Sequence, residues 1–371
     1  MQPADVSALV TAVGFTSQLY VKDHPDLERI RESPSAILHF LLYGVLEGRR
    51  FRAKIDMAAL RRLADLPFEN KLYRTALVAA LGYAGIHTAK AELDTELTDL
   101  WPTLLELCAM GAKPVLIIGD SHSNLYHRRA VRGSNWILPL HLLCSAGSAM
   151  GLGNPNSRSR YGLRIERLLE MALTLGWRQQ WPILFKFGQV DTEFVHTFQR
   201  IAKGITSYSR DEFADFSARS IEGYRRFLDR GVPAALRPAS TIVSVFPPSL
   251  SDQQWAEGYA NGHIVSLNAD MERDAIIGAI RQMTIPDIFE RTRMHREYNE
   301  RLSELAGQTG LAFIDDCDEL LSAFGIANRR FVGAAAGRDH HLDYVATAPA
   351  ITAALWRAID RLNPPIAAAP G

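Results

Sequence analysis

The chain has 371 residues, 47% of them hydrophobic and 22% charged, which is enough for one large domain with a sizeable core and a smaller one beside it. Lysine plus arginine and aspartate plus glutamate each total 41, so no net field draws nucleic acid or an anionic membrane surface, and neither is expected as a partner. The cysteines, Cys108, Cys144 and Cys317, cannot all pair and show no C-x-x-C spacing, which argues against a disulfide framework or a cysteine zinc site and for buried, reduced thiols.

The opening MQPADVSALVTAVGF has neither the basic start nor the unbroken apolar run of a secretory signal. No run approaches the length of a membrane span, so a cytoplasmic chain without a transmembrane segment is the expectation. Between residues 5 and 110 the pattern is helical. Ile37, Leu38, Leu41, Leu42 and Val45 recur at spacings of three and four, with Ser33 before Pro34 as an N-cap and Gly48 as the stop. Residues 57 to 84 and 93 to 108 read as further helices. No strand signal precedes Pro114, and residues 1–110 are expected to form a small all-helical module.

From residue 114 the pattern changes. PVLIIGD at 114 to 120, NWILPLHLL at 135 to 143, WPILFKFGQVD at 181 to 191, STIVSVFPP at 240 to 248 and LAFIDD at 311 to 316 are short apolar or β-branched runs separated by helical stretches. They predict an α/β fold over residues 111–363, with a mainly parallel five-stranded sheet covered by helices on both faces in three layers, α/β/α. The last helix carries Ile351, Leu355, Ile359 and Leu362. The Ala- and Pro-rich tail, residues 364–371, is expected to be disordered.

Open α/β sheets place their chemistry at strand ends. Ser121 stands at the end of the first run, and RDHHLD at 338 to 343 supplies an acid and two imidazoles just before the last helix. A serine becomes a good nucleophile only with a base to take its proton and a third group to orient that base. Ser121 also fits a helix N-cap, and Asp120 reads as structural, accepting turn amides. His122 and His127 read as a partly exposed pair, and Asp191 as a carboxylate holding its loop. The glycines at 147, 151 and 153 do not match a dinucleotide-binding turn and no P-loop lysine follows, so no nucleotide cofactor is expected.

Taken in order, four segments resemble the four blocks of the SGNH (GDSL-like) hydrolase superfamily, over roughly residues 111 to 363. GDSHS matches the block whose serine is the nucleophile, which implies that role for Ser121. SAGSAMGLGNPNS at 145 to 157 resembles the block that lends a backbone N–H to the oxyanion hole, with Gly151 first and Gly147 behind it. FGQVD at 187 to 191 falls where the family often reads Gly-x-Asn-Asp, which puts Gly188 and Asp191 in the oxyanion and substrate-binding region. RDHHLD matches the block of the histidine base and its acid; His341 is read as the base, with His340 the adjacent alternative, and Asp339 as the orienting acid. Val190 stands where many members carry an asparagine donor, and the Asn154 side-chain amide is the replacement. Asp339 lies two residues before His341 instead of three, Arg338 holding the usual position. The resemblance implies a flavodoxin-like strand order and no metal.

Residues 19 to 51 resemble a short helical motif found beside bacterial polysaccharide-handling enzymes, through Tyr20, Pro25, Asp26, His39, Gly44, Glu47, Gly48 and Arg49. The two resemblances together imply a serine esterase or deacylase whose substrate is an acylated carbohydrate such as an O-acetylated bacterial glycan. An acyltransferase would use the same residues. Gly119, Asp120, His122 and Asn124 also match the opening Asp-x-His-Gly-Asn block of metallophosphoesterases, although Ser123 replaces the glycine and no downstream ligand block follows. The third reading is a glycan-binding protein without catalysis. Nothing in the sequence speaks to the oligomeric state.

Overall fold

The computed structural model describes residues 3–30, 35–51, 53–86, 92–259, 272–333 and 339–364. The N-cap expected at Ser33 and Pro34, Arg338 and the tail beyond Pro364 lie outside them. Its sheet has six strands: β1 Ala112–Gly119, β2 Val131–Arg132, β3 Asn135–Leu143, β4 Ile183–Lys186, β5 Ser240–Val243 and β6 Ala312–Ile314. Their order is β2-β3-β1-β4-β5-β6.

The expectation of five strands is therefore corrected to six. The addition, β2, is two residues long and pairs antiparallel with β3, Val131 opposite Trp136 and Arg132 opposite Asn135. The intervening turn uses Gly133 at φ +61°, a hairpin geometry that glycine adopts without strain. So short a strand has no periodicity to read.

β1, β4, β5 and β6 run parallel in neighbouring pairs. Val115 to Ile118 are wholly buried, the continuous apolar pattern of a strand covered on both faces. With β2 set aside, the remaining strands follow the doubly wound order 2-1-3-4-5. Chain order reverses at β1 and β4, and the carboxyl ends of the strands there form the crevice in which such sheets bind ligands. β4 is shorter than expected because Gly188 turns the chain at φ +108°. An added Cβ at that position would come within 2.5 Å of the Tyr298 ring. The helix Ile288–Thr309 packs on β5, β6 and the helix Arg210–Gly231.

By internal contacts the chain divides into two compact units, residues 1–115 with 128–140, and residues 116–127 with 141–371. The first therefore takes in chain beyond residue 110, and β1 and β3 each contribute residues to both. All cysteines are free thiols; Cys144 and Cys317 are buried, whereas Cys108 is half-buried, not buried as expected. Among the described residues no helix is long and apolar enough to cross a membrane.

In the first unit the residues of the helical motif are used internally. Tyr20, Phe15, Phe40 and Phe51 form a buried aromatic knot, with Phe15 and Phe40 stacked at 4.7 Å and Phe15 edge-on to Phe51 at 5.1 Å. The Tyr20 hydroxyl meets His39 Nδ1 at 3.1 Å. A Cβ at Gly44 would lie 2.3 Å from that hydroxyl oxygen, so only glycine fits. Gly48 takes φ +67°, and Arg49 pairs with Asp26 at 2.8 Å and with Glu47 at 2.5 Å. These contacts account for the motif as a folding signature.

Candidate active site

β1 ends at Gly119, where any Cβ would come within 2.5 Å of the Lys186 carbonyl oxygen and 2.7 Å of Ser123 Cβ. The chain then turns into a short 3-10 helix, Ser121–Tyr126. Asp120, fully buried, caps it: one carboxylate oxygen accepts the His122 N–H at 2.8 Å and lies 3.1 Å from His122 Nδ1. The other oxygen has no partner among the described residues. Burial raises the Asp120 carboxyl, against the opposing charge of Lys186. Lys186, also buried, is pushed by burial down to about 8, with Asp120 and Glu193 resisting.

The capped turn presents Ser121 half-buried, its Oγ 2.7 Å from His341 Nε2. His341 Nδ1 lies 2.6 Å from Asp339 Oδ1, which also accepts the His341 backbone N–H at 3.2 Å. With the proton on Nδ1 donated to the carboxylate, Nε2 carries the lone pair that accepts the serine hydroxyl. Burial would raise the Asp339 carboxyl, but the hydrogen bonds and charge of His341 outweigh it and hold the group below the usual carboxylate range. Ser121, His341 and Asp339 line a cavity of about 530 Å³ with Leu125, Leu342 and Tyr344.

His340 has different partners. Its Nδ1 meets the Tyr259 hydroxyl at 3.0 Å, and its ring lies edge-on to Phe194 at 4.8 Å. Burial, with the neighbouring His122 and His341 rings, pushes it down to about 2. The two adjacent imidazoles thus have different partners, Ser121 for His341 and Tyr259 for His340. His122 is buried, not partly exposed as expected, with its ring tilted 4.6 Å from that of His341 and edge-on to that of His340 at 5.1 Å. Burial takes it well below the ordinary histidine value, with the His341 and Lys186 charges adding to that. One ring nitrogen from each of His122, His340 and His341 lies within 4.8 Å of the others. His127 is likewise buried, its ring 5.3 Å from that of His141.

The glycine-rich segment is placed differently from expectation. Ser148 caps the helix Ala149–Leu152 and its hydroxyl accepts the Gly151 N–H at 3.0 Å. The Gly147 N–H goes to the Cys144 carbonyl at 2.8 Å. Gly147, Gly151 and Asn154 line a second cavity of about 450 Å³ with Arg158 and Tyr161, and Ser121 is not among its lining residues. Both glycine amides are thus engaged locally. Asn154 Oδ1 accepts the Asn156 N–H at 3.0 Å.

Asp191 holds this segment. Its carboxylate accepts the Ala149 and Met150 N–H groups at 2.6 and 3.0 Å and the Ser220 hydroxyl at 2.7 Å, with no exposure to solvent. Gly188, at φ +108°, supplies the turn ahead of Asp191, and Val190 is buried. The Asp120–His122 contact was legible as the Asp-x-His spacing. Tyr259 was not, because it lies 81 residues from the ring that it contacts.

No protein-family model and no curated protein matches the chain. Among solved structures, an extracellular lipase from Streptomyces rimosus aligns at 14% identity over 65% of this chain and 99% of its own, with a TM-score of 0.27. A phospholipase A1 from Streptomyces albidoflavus NA297 aligns at 12% identity over 66% of this chain and 99% of its own, with a TM-score of 0.26.

Proposed function

We propose that this chain is a serine-dependent hydrolase of carboxylic esters. The observation that carries the reading is the unbroken relay from Ser121 Oγ to His341 Nε2 at 2.7 Å and from His341 Nδ1 to Asp339 at 2.6 Å, opening on a cavity. Ser121 Oγ attacks the ester carbonyl while His341 takes its proton, and Asp339 keeps the imidazole in the productive tautomer and stabilises its charge. The Ser121 N–H receives the developing oxyanion, a contact worth about 3 kcal/mol where it has been measured in other enzymes. His341 then protonates the leaving alcohol, a water takes the alcohol's place, and the acyl-enzyme is hydrolysed by the same steps in reverse roles.

The substrate class in this proposal is an O-acetylated carbohydrate. The cavity places apolar Leu125 and Leu342 beside Ser121 for a small acyl group, with the polar groups Asp343 and the Tyr344 hydroxyl nearby. The helical motif of residues 19 to 51 adds the glycan context through its resemblance. The test is hydrolysis of a chromogenic acetyl ester, followed by acetate release from O-acetylated polysaccharide. Ser121→Ala and His341→Ala are each expected to lose at least about a thousandfold in kcat/KM. Full activity in Ser121→Ala would falsify the assignment of the nucleophile. Acetate that appears on an added sugar and not in solution would reassign the acceptor from water to a hydroxyl group.

A further inference from the structure

The relay's His341 and two histidines beside it, His122 and His340, share an arrangement that ester hydrolysis does not require. His122 Nδ1 lies 3.1 Å from Asp120 Oδ1, His340 Nδ1 lies 3.0 Å from the Tyr259 hydroxyl, and His341 Nδ1 lies 2.6 Å from Asp339 Oδ1. Each ring therefore has one nitrogen held by an oxygen, the outer-shell pattern that fixes tautomer and orientation in metal-binding histidines. His122 is 1% exposed, and its Nε2 has no hydrogen-bond partner among the described residues. A buried nitrogen left in that state calls for an explanation, a missing ion being one.

We propose that His122, His340 and His341 bind one divalent cation of the zinc type, and that its occupation switches off the hydrolase. The second half rests on the reading of His341 as the base. The ligand nitrogens lie within 4.8 Å of one another, whereas tetrahedral zinc with bonds of about 2.0–2.1 Å brings nitrogens to roughly 3.3 Å. Closing that gap takes ring rotations of about an ångström. His341, the most exposed of the three at 29%, has room to make them by leaving Ser121. An all-imidazole donor set selects zinc, copper or nickel over magnesium and calcium, which prefer oxygen. The carboxylates of Asp120 and Asp339 behind two of the rings offset part of the ion's charge.

The switch follows from a count of lone pairs. His341 Nε2 has one, and it either accepts the Ser121 proton or binds the ion. While the cation is bound, the serine hydroxyl has no base and the first step of acyl transfer stops.

The test is calorimetric titration of metal-free full-length protein with zinc chloride, with magnesium chloride as control, beside acetyl-ester hydrolysis at rising free zinc. One zinc per chain, no magnesium binding, and activity that falls as the site fills and returns with chelator are expected. Tyr259→Phe, which removes only a supporting hydroxyl, is expected to weaken zinc affinity and to raise the half-inhibiting zinc concentration by the same factor, roughly tenfold. His340→Gln is expected to lose zinc binding by calorimetry, and to lose inhibition measured against its own zinc-free rate. Active protein that binds no zinc, binding unchanged in both variants, or turnover that rises with zinc overturns the proposal. Zinc binding that these variants weaken, in protein with no serine-dependent turnover, removes the hydrolase reading and the switch with it, and leaves the metal site.

Discussion

Two serine–histidine pairs stand two residues apart in this chain, and hydrogen-bond length does not tell them apart. Ser121 Oγ lies 2.7 Å from His341 Nε2, and Ser123 Oγ lies 2.7 Å from His141 Nε2. The surroundings differ. Ser121 is half-buried and faces a cavity, with a carboxylate behind its histidine. Ser123 has no exposed surface, and its hydroxyl proton is donated to the Asp120 carbonyl at 2.5 Å, so the same oxygen accepts from His141. A nucleophile needs a reachable oxygen and an oriented base; a buried hydroxyl with both roles filled is a strut of the turn that carries Ser121.

The largest expected effect separates the pairs by activity. Ser121→Ala should lose acetyl-ester hydrolysis at least about a thousandfold, whereas Ser123→Ala should keep kcat/KM within about tenfold and instead lose roughly 1–3 kcal/mol of stability. Urea unfolding beside the kinetic assay reads both; equal activity losses would erase the distinction. Next comes the orienting acid. Asp339→Asn keeps the size of the side chain but takes away the charge that favours the imidazolium, and kcat should fall about a hundredfold or more with KM little changed.

The carboxylate that holds the glycine-rich segment should respond in stability. Asp191→Ala strands the Ala149 and Met150 amides and leaves the Ser220 hydroxyl with Tyr298 alone, at a cost of roughly 2–4 kcal/mol, read as a lowered urea midpoint at unchanged slope. The smallest effect concerns Glu193, buried, which burial pushes up to about 8 against the Gln189 hydrogen bond and the charge of Arg291. Because its folded pKa is raised, the folded state holds the proton between about pH 4.5 and 8 where the unfolded chain has lost it, so this stabilisation fades as pH rises through that window. Asp316, pushed by burial up to about 6, acts in the same direction. Above pH 8 Lys186, lowered to about 8, acts the other way. Glu193→Gln should flatten the fall in Tm between pH 5 and 8 by a few degrees; an unchanged slope would mean that the carboxyl ionises freely.

The same contrast explains how much could be read beforehand. The strands β1, β3, β4 and β5 announce themselves because they are buried and their runs are largely apolar or β-branched, and β6, half-buried, by its short apolar run Ala312–Ile314. β2 could not be read, having only Val131 and Arg132. The open pair was legible because its residues fall at strand and helix ends in motif order. The long-range contacts were not: Ser123 with His141 and His340 with Tyr259 join residues 18 and 81 positions apart, and no local pattern encodes them. The local bonds of the Gly147 and Gly151 amides, to the Cys144 carbonyl and the Ser148 hydroxyl, could not be read, because a Ser-x-x-Gly cap and an oxyanion turn look alike in sequence.

The most direct test of the central claim is to treat the purified chain with a fluorophosphonate that phosphonylates activated serines, and to locate the adduct by peptide mass spectrometry. A single adduct on Ser121, lost in Ser121→Ala and retained in Ser123→Ala, is the predicted result. No adduct in the folded chain, or an adduct that survives Ser121→Ala, would contradict it.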